Sequence, residues 1–219
     1  MNTLIVTILS FAAFLLSLTV HECCHAATAY LLGDETARRA GRLSLNPRSH
    51  IDPVGTLLLP LLGLFTGLPM FGWAKPVPVN PYNLRWGRWG NVAVALAGPL
   101  SNFILAGIAL IIVRILLGPV GLSAANLLII LLIQLAVVSV VLGVFNFIPV
   151  PPLDGSRLLT AFLDSPRHRR LLFILETRGA TILLLILMLD YMLPFSPFSW
   201  LINRSLYGFF SAAGLLGAL

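Results

Sequence analysis

Four apolar runs, at about 3–32, 91–117, 124–148 and 179–195, dominate the chain. A helix needs roughly 20 apolar residues to cross a hydrocarbon core, and each run approaches that length. The expectation is therefore a polytopic membrane protein. Composition agrees: 58% of the 219 residues are hydrophobic and 10% charged, too few polar side chains to clothe a water-soluble core of this size. The expected architecture is all-α, with about four to five transmembrane helices, a re-entrant segment and a small membrane-associated β-sheet. One membrane-embedded domain is expected over 1–219, its core at 1–165 and C-terminal helices at 166–219, the stretch 200–219 packing at the membrane surface or dipping into it.

A fifth apolar stretch, VGTLLLPLLGLFTGLPMFGW at 54–73, is broken by Pro60, Gly63, Gly67 and Pro69, which argues against a straight spanning helix. In the same insert, RLSLN at 42–46 alternates polar and apolar residues and KPVPVNP at 75–81 reads as extended. Short strands are expected there, paired against the helices because unpaired backbone is costly at membrane depth.

The net charge of +6 does not form a nucleic-acid surface, because the basic residues sit in short clusters between apolar runs. Cys23 and Cys24 are adjacent on a helix, where a mutual disulfide would be strained, so no disulfide framework is expected. The first twenty residues lack a basic leading region and an early cleavage site, and read as a retained membrane helix.

Chemistry concentrates at the end of the first run. HECCH at 21–25 has His-Glu-x-x-His spacing, which on a helix puts the two histidines about 40° apart on one face. Both can reach one zinc ion, and Glu22 projects beside them, able to accept a proton from metal-bound water. Ionisable groups within an apolar span are costly, by about 2.5 kcal/mol or more for a central charge, so three together require a reason. A catalytic zinc site of this kind needs a third protein ligand. Asp154, in NFIPVPPLDGS after the third run, is the candidate; its competing reading is a cap for a helix starting near Ser156.

These segments resemble the site-2 protease family of zinc intramembrane metalloproteases, in its short bacterial and archaeal branch without PDZ or nucleotide-sensing domains. HECCH is similar to that family's zinc-binding helix and NFIPVPPLDG to its second motif; AGPLSNF at 97–103, GRLSLNP, HIDP and GWAKPVPVNP add to the likeness, which runs from about 15 to 165. It implies His21, His25 and Asp154 as ligands of one Zn2+, Glu22 as general base, and Asn146 as a substrate-binding polar group near the scissile carbonyl. Cys23 and Cys24 depart from the family's usual aliphatic and small residues. A thiolate ligand is the lesser reading there, since small buried cysteines pack as apolar groups.

If His21 and Asp154 share a metal, the first and third runs must be parallel and the second antiparallel to both, so 33–90 begins and ends on one face. Twelve of the fourteen Lys and Arg residues then fall on the metal side and only Arg114 and Arg204 elsewhere. This places the site toward the cytoplasm of a multi-pass protein in a bacterial or archaeal cytoplasmic membrane. Asn102, after Gly98 and Pro99 in an expected kink, is read as an interhelical hydrogen-bonding residue close to the site. His50 and Asp52 read as loop residues, His168 as solvated, and Glu176, Arg178 and Asp190 as non-catalytic. The implied activity is hydrolysis of peptide bonds in or near transmembrane segments of membrane-protein substrates within the lipid bilayer. Other classes compatible with the same donors are a membrane zinc transporter or scaffold, which has no need of Glu22, and a zinc-dependent lipid amide or ester hydrolase.

Overall fold

The computed structural model describes residues 3–60, 72–163, 165–193 and 195–216. The principal helices are α1 (Thr3–Leu31), α2 (Thr36–Arg39), α3 (Arg88–Leu117), α4 (Leu127–Asn146), α5 (Ser156–Phe162), α6 (Arg169–Met192) and α7 (Pro197–Ala212). Four of them, α1, α3, α4 and α6, are long and apolar enough to cross a membrane.

The sequence explains where these helices stop. No glycine or proline interrupts α1, and α3 ends against Gly118 and Pro119. Asn126 opens α4 by accepting a hydrogen bond from the Leu128 amide at 2.9 Å, and the proline-rich 149–152 stretch closes it. The helix α6 begins ten residues before the apolar run does, because RRLLFILETR at 169–178 consists of good helix formers that carry the helix beyond its apolar part.

Helices α1, α3 and α4 form the core. Ala13, Ala106, Ala109 and Ala136 are buried where they meet, with Leu110, Val113, Ile129 and Val140 filling the seam. Small residues let helix backbones approach closely where lipid supplies no hydrophobic drive between helices. Ser17 and Ser139, both fully buried, share a 2.9 Å hydrogen bond between α1 and α4. The Arg85 amide donates to the Leu32 carbonyl at 2.8 Å, joining the end of α1 to the approach to α3. The 33–87 insert therefore starts and finishes at one end of the bundle, as the expected helix directions require. The helix α7 packs on the flank of α3 and α4, stacking Phe209 on Phe103 and burying Phe210, while Arg114 donates to the Ala213 carbonyl at 3.0 Å.

No strand occurs among the described residues, so the expected small sheet is not seen there. Side chains occupy the backbone that a ladder would use. Pro76 and Pro78 have no amide hydrogen to offer. Arg42 donates to the Ser49 carbonyl and, at 3.1 Å, to the Pro76 carbonyl; the Ser44 carbonyl bonds the His50 Nε2 at 2.8 Å. Of the broken stretch expected to re-enter or lie flat, residues 61–71 lie outside the described residues. Its two ends are adjacent: the Trp73 amide donates to the Gly55 carbonyl at 3.3 Å and the Thr56 hydroxyl to the Trp73 carbonyl at 2.8 Å.

Asp34 anchors the insert to the end of α1. Fully buried, it accepts from the Thr36 amide and hydroxyl, the Asn80 amide at 2.7 Å and the Asn83 side chain at 3.1 Å. Burial alone would raise its pKa, but these donors outweigh burial and hold the carboxyl below the usual carboxylate range. A depressed pKa contributes stability that is present above the unfolded value and is lost as pH falls through the folded one. Asp34→Asn should therefore lower stability at pH 7 by about 1–3 kcal/mol. Thermal unfolding in detergent should show the gap between wild type and variant narrowing in acid.

Candidate metal centre

His21 and His25 lie one turn apart on α1, and their rings meet edge to face with centroids 4.6 Å apart. Their Nε2 atoms face each other at 3.0 Å. Asp154 reaches the same point from a site 133 residues later in the chain, its Oδ2 lying 3.0 Å from His21 Nε2 and 3.3 Å from His25 Nε2. One donor atom from each residue lies within 4.8 Å of the others. Among the described residues this is the one group of three or more such donors, and neither cysteine thiol joins it.

Each donor is held from behind. His25 Nδ1 lies 2.7 Å from the Val94 carbonyl of α3, a contact that makes Nδ1 the protonated nitrogen and leaves the Nε2 lone pair facing the centre. His21 Nδ1 lies 3.1 Å from the Asn102 amide of the same helix. Asp154 follows the cis Pro151–Pro152 bond in a turn closed by the Gly155 amide, which donates to the Asn146 carbonyl at 2.7 Å. A Cβ on Gly155 would lie 2.3 Å from the Phe147 carbonyl oxygen, so the turn folds too tightly for any side chain there. Gly155 itself precedes α5 and no side chain caps that helix; the capping reading of Asp154 is not what the structure shows. Burial works against the charge on Asp154, yet its contacts with both imidazoles hold the carboxyl below the usual carboxylate range.

Gly98 has a role that its place in the sequence did not reveal. The helix α3 continues through Pro99, and what Gly98 admits is the imidazole pair: a Cβ there would lie 2.4 Å from His25 Nε2 and 2.7 Å from His21 Cε1. Glu22, also buried, lies within electrostatic reach of His25, Asp154 and Arg42 and faces the Val77 amide of the insert. Asn146, the last residue of α4, turns its side chain back to the Leu142 carbonyl at 3.1 Å and stands outside the donor group. His50 is buried, pinning the insert through Ser44, and Asp52 caps the turn at 53–58 by accepting from the Val54 and Gly55 amides. Asp190 caps α7 through the Ser196 hydroxyl and the Phe198 amide. These three, expected to be non-catalytic, each carry a structural bond. The value of Arg42 and of the Val94 carbonyl escaped the sequence, the first because nothing marks it among its neighbouring arginines, the second because it is backbone.

Two imidazole nitrogens and one carboxylate oxygen, converging with the far nitrogen of His25 on a carbonyl and that of His21 on the Asn102 side chain, form a donor set suited to zinc. Residues 113–189, which include Asp154, match the family model described as Peptidase family M50. Over these residues the chain carries a domain match to peptidase family M50, the site-2 proteases. Among curated relatives, YwhC of Bacillus subtilis (strain 168), named as a candidate zinc metalloprotease, is 42% identical over 151 residues, covering 66% of this chain and 64% of the relative. Rip2 of Mycobacterium tuberculosis (strain ATCC 35801 / TMC 107 / Erdman), named likewise, is 33% identical over 168 residues, covering 76% and 61%. The chain thus spans a little over three fifths of the length of these relatives. No solved structure matches it significantly.

The tight approach at Gly98 gives a direct expectation. Gly98→Ala should weaken zinc binding by the purified protein while leaving its helix content intact, as read by chelator competition alongside circular dichroism; undiminished affinity would show that the imidazole pair can shift freely.

Proposed function

We propose that the chain is a zinc-dependent intramembrane endopeptidase that cleaves membrane-protein substrates within or near their transmembrane segments. One observation carries this reading: His21, His25 and Asp154 converge inside an apolar helix bundle with a buried carboxylate, Glu22, next to them and outside the donor set. A transporter or scaffold would need the three donors alone. When bound, zinc would lower the pKa of a coordinated water toward about 7 and polarise the scissile carbonyl.

His21, His25 and Asp154 are the proposed ligands. Glu22 is the proposed general base, accepting the water's proton and returning it to the leaving amine. The Val77 amide and the Arg42 guanidinium, on the insert side, favour the charged form of Glu22. Asn146 is the proposed polar group for the substrate carbonyl, which requires its amide to leave the Leu142 carbonyl when substrate enters. A substrate helix hides its carbonyls in its own hydrogen bonds and must unwind to be cut. The extended segments at 42–46 and 75–81 are the proposed place where the unwound backbone lies, in the manner of strand addition. The clustering of basic residues around the metal side supports an orientation with the centre toward the cytoplasm.

Purified protein reconstituted with single-span membrane proteins tests the reading. Wild type should cleave, chelation should stop cleavage and added zinc should restore it. Glu22→Gln should lose about 10²–10⁴ in rate while still binding one zinc per chain; full activity in that variant would remove Glu22 from the mechanism. Leu45→Pro should slow cleavage of an unwound segment with zinc content unchanged.

A further inference from the structure

His21 and His25 present equivalent Nε2 atoms to the centre, yet their outer nitrogens meet different partners. Behind His25 stands a carbonyl, which can only accept. Behind His21 stands the Asn102 side chain, fully buried, with its Nδ2 at 3.1 Å from His21 Nδ1. The Asn102 Oδ1 is also buried and has no hydrogen-bond partner. A buried amide oxygen without a donor is costly, and one beside a ring nitrogen that can supply a proton has an obvious remedy.

A half-turn of the amide exchanges Oδ1 and Nδ2 with almost no change in shape. Oδ1 then stands where a proton on His21 Nδ1 can be donated to it. Resting on the metal-centre reading above, we propose that Asn102 is the positioning residue for His21: its amide oxygen accepts the Nδ1 proton and so commits Nε2 to the metal. Ligation at Nε2 fixes the proton on Nδ1 and recruits the amide.

Asn102 then does for His21 what the Val94 carbonyl does for His25. The side-chain version differs in one respect, since an amide can turn to suit either tautomer and a carbonyl cannot. Both supports come from α3, so that helix sets the orientation of both rings while α1 supplies the rings themselves. Gly98 also lies against the His21 ring, and its carbonyl, which accepts from the Ser101 hydroxyl at 2.6 Å, is the rival support.

The test compares wild type, Asn102→Leu and Asn102→Asp in detergent, with zinc affinity read by competition against a chromophoric chelator and ligand geometry by the visible spectrum of the Co2+ form. Wild type must first bind one zinc per chain, with His21→Ala losing it; failure of that control strikes the metal centre itself and leaves nothing for Asn102 to position. Given a sound control, Asn102→Leu, similar in size but with no acceptor, should bind zinc about 10–100-fold more weakly and show an altered Co2+ spectrum. Asn102→Asp, which restores an acceptor and cannot donate, should return both to wild-type behaviour. Unchanged affinity in Asn102→Leu would assign the support to Gly98 and overturn the proposal. Should Asn102→Leu fail to fold, Asn102→Asp decides alone: tenfold weaker zinc binding would mean that the amide donates to His21, the reverse of what is proposed.

Discussion

The fold turns on the meeting of Asp154 with the two α1 imidazoles, because that contact can form only if three helices take one arrangement. His21 and His25 belong to a span that enters the bundle first, whereas Asp154 follows α4 in a turn with no room for a side chain at Gly155. The two helices must run the same way, α3 must oppose them, and all three must pack closely enough for Asn102 and the Val94 carbonyl to touch the rings. Alanines at the helix seam and glycine at position 98 make that closeness possible. Larger residues at these points would increase apolar contact and separate the donors.

A second set of polar contacts holds the insert against the centre. Asp34 and Arg42 are buried, Asp34 bound to the Asn80 amide and the Asn83 side chain and Arg42 to the Ser49 and Pro76 carbonyls, and together they hold 34–50 against 75–83 without a β-ladder. Irregular backbone next to a membrane must have its polar groups satisfied by protein, and here side chains provide what a sheet would have provided. The arrangement leaves Val77 facing Glu22, linking the insert's conformation to the setting of the carboxylate.

Much of this was readable from residue order. The apolar runs give the spanning helices because length and hydropathy are sufficient signals in a bilayer, and HECCH gives the histidine pair because helical periodicity alone aligns them. The distant Asp154 stood out only as one of few polar residues available to join the pair, and its approach to both rings is read from coordinates. Alternation at 42–46 indicates an extended chain but says nothing of what its carbonyls bond, and among the described residues the Ser44 and Pro76 carbonyls meet side chains. The early start of α6 was missed for a related reason: hydropathy marks where a helix is apolar, while propensity extends it further. Gly98 was read as a helix-bending residue, and its contact with both imidazoles required coordinates, as did the backbone support at Val94.

The long separation between the two halves of the centre also has a consequence in time. A chain emerging during synthesis carries both imidazoles for most of its length with no carboxylate to complete the set, since Asp154 lies 133 residues beyond His21. The donors come together only after α3 has turned back and α4 has docked beside α1. The set of three donors is therefore complete only in the assembled bundle.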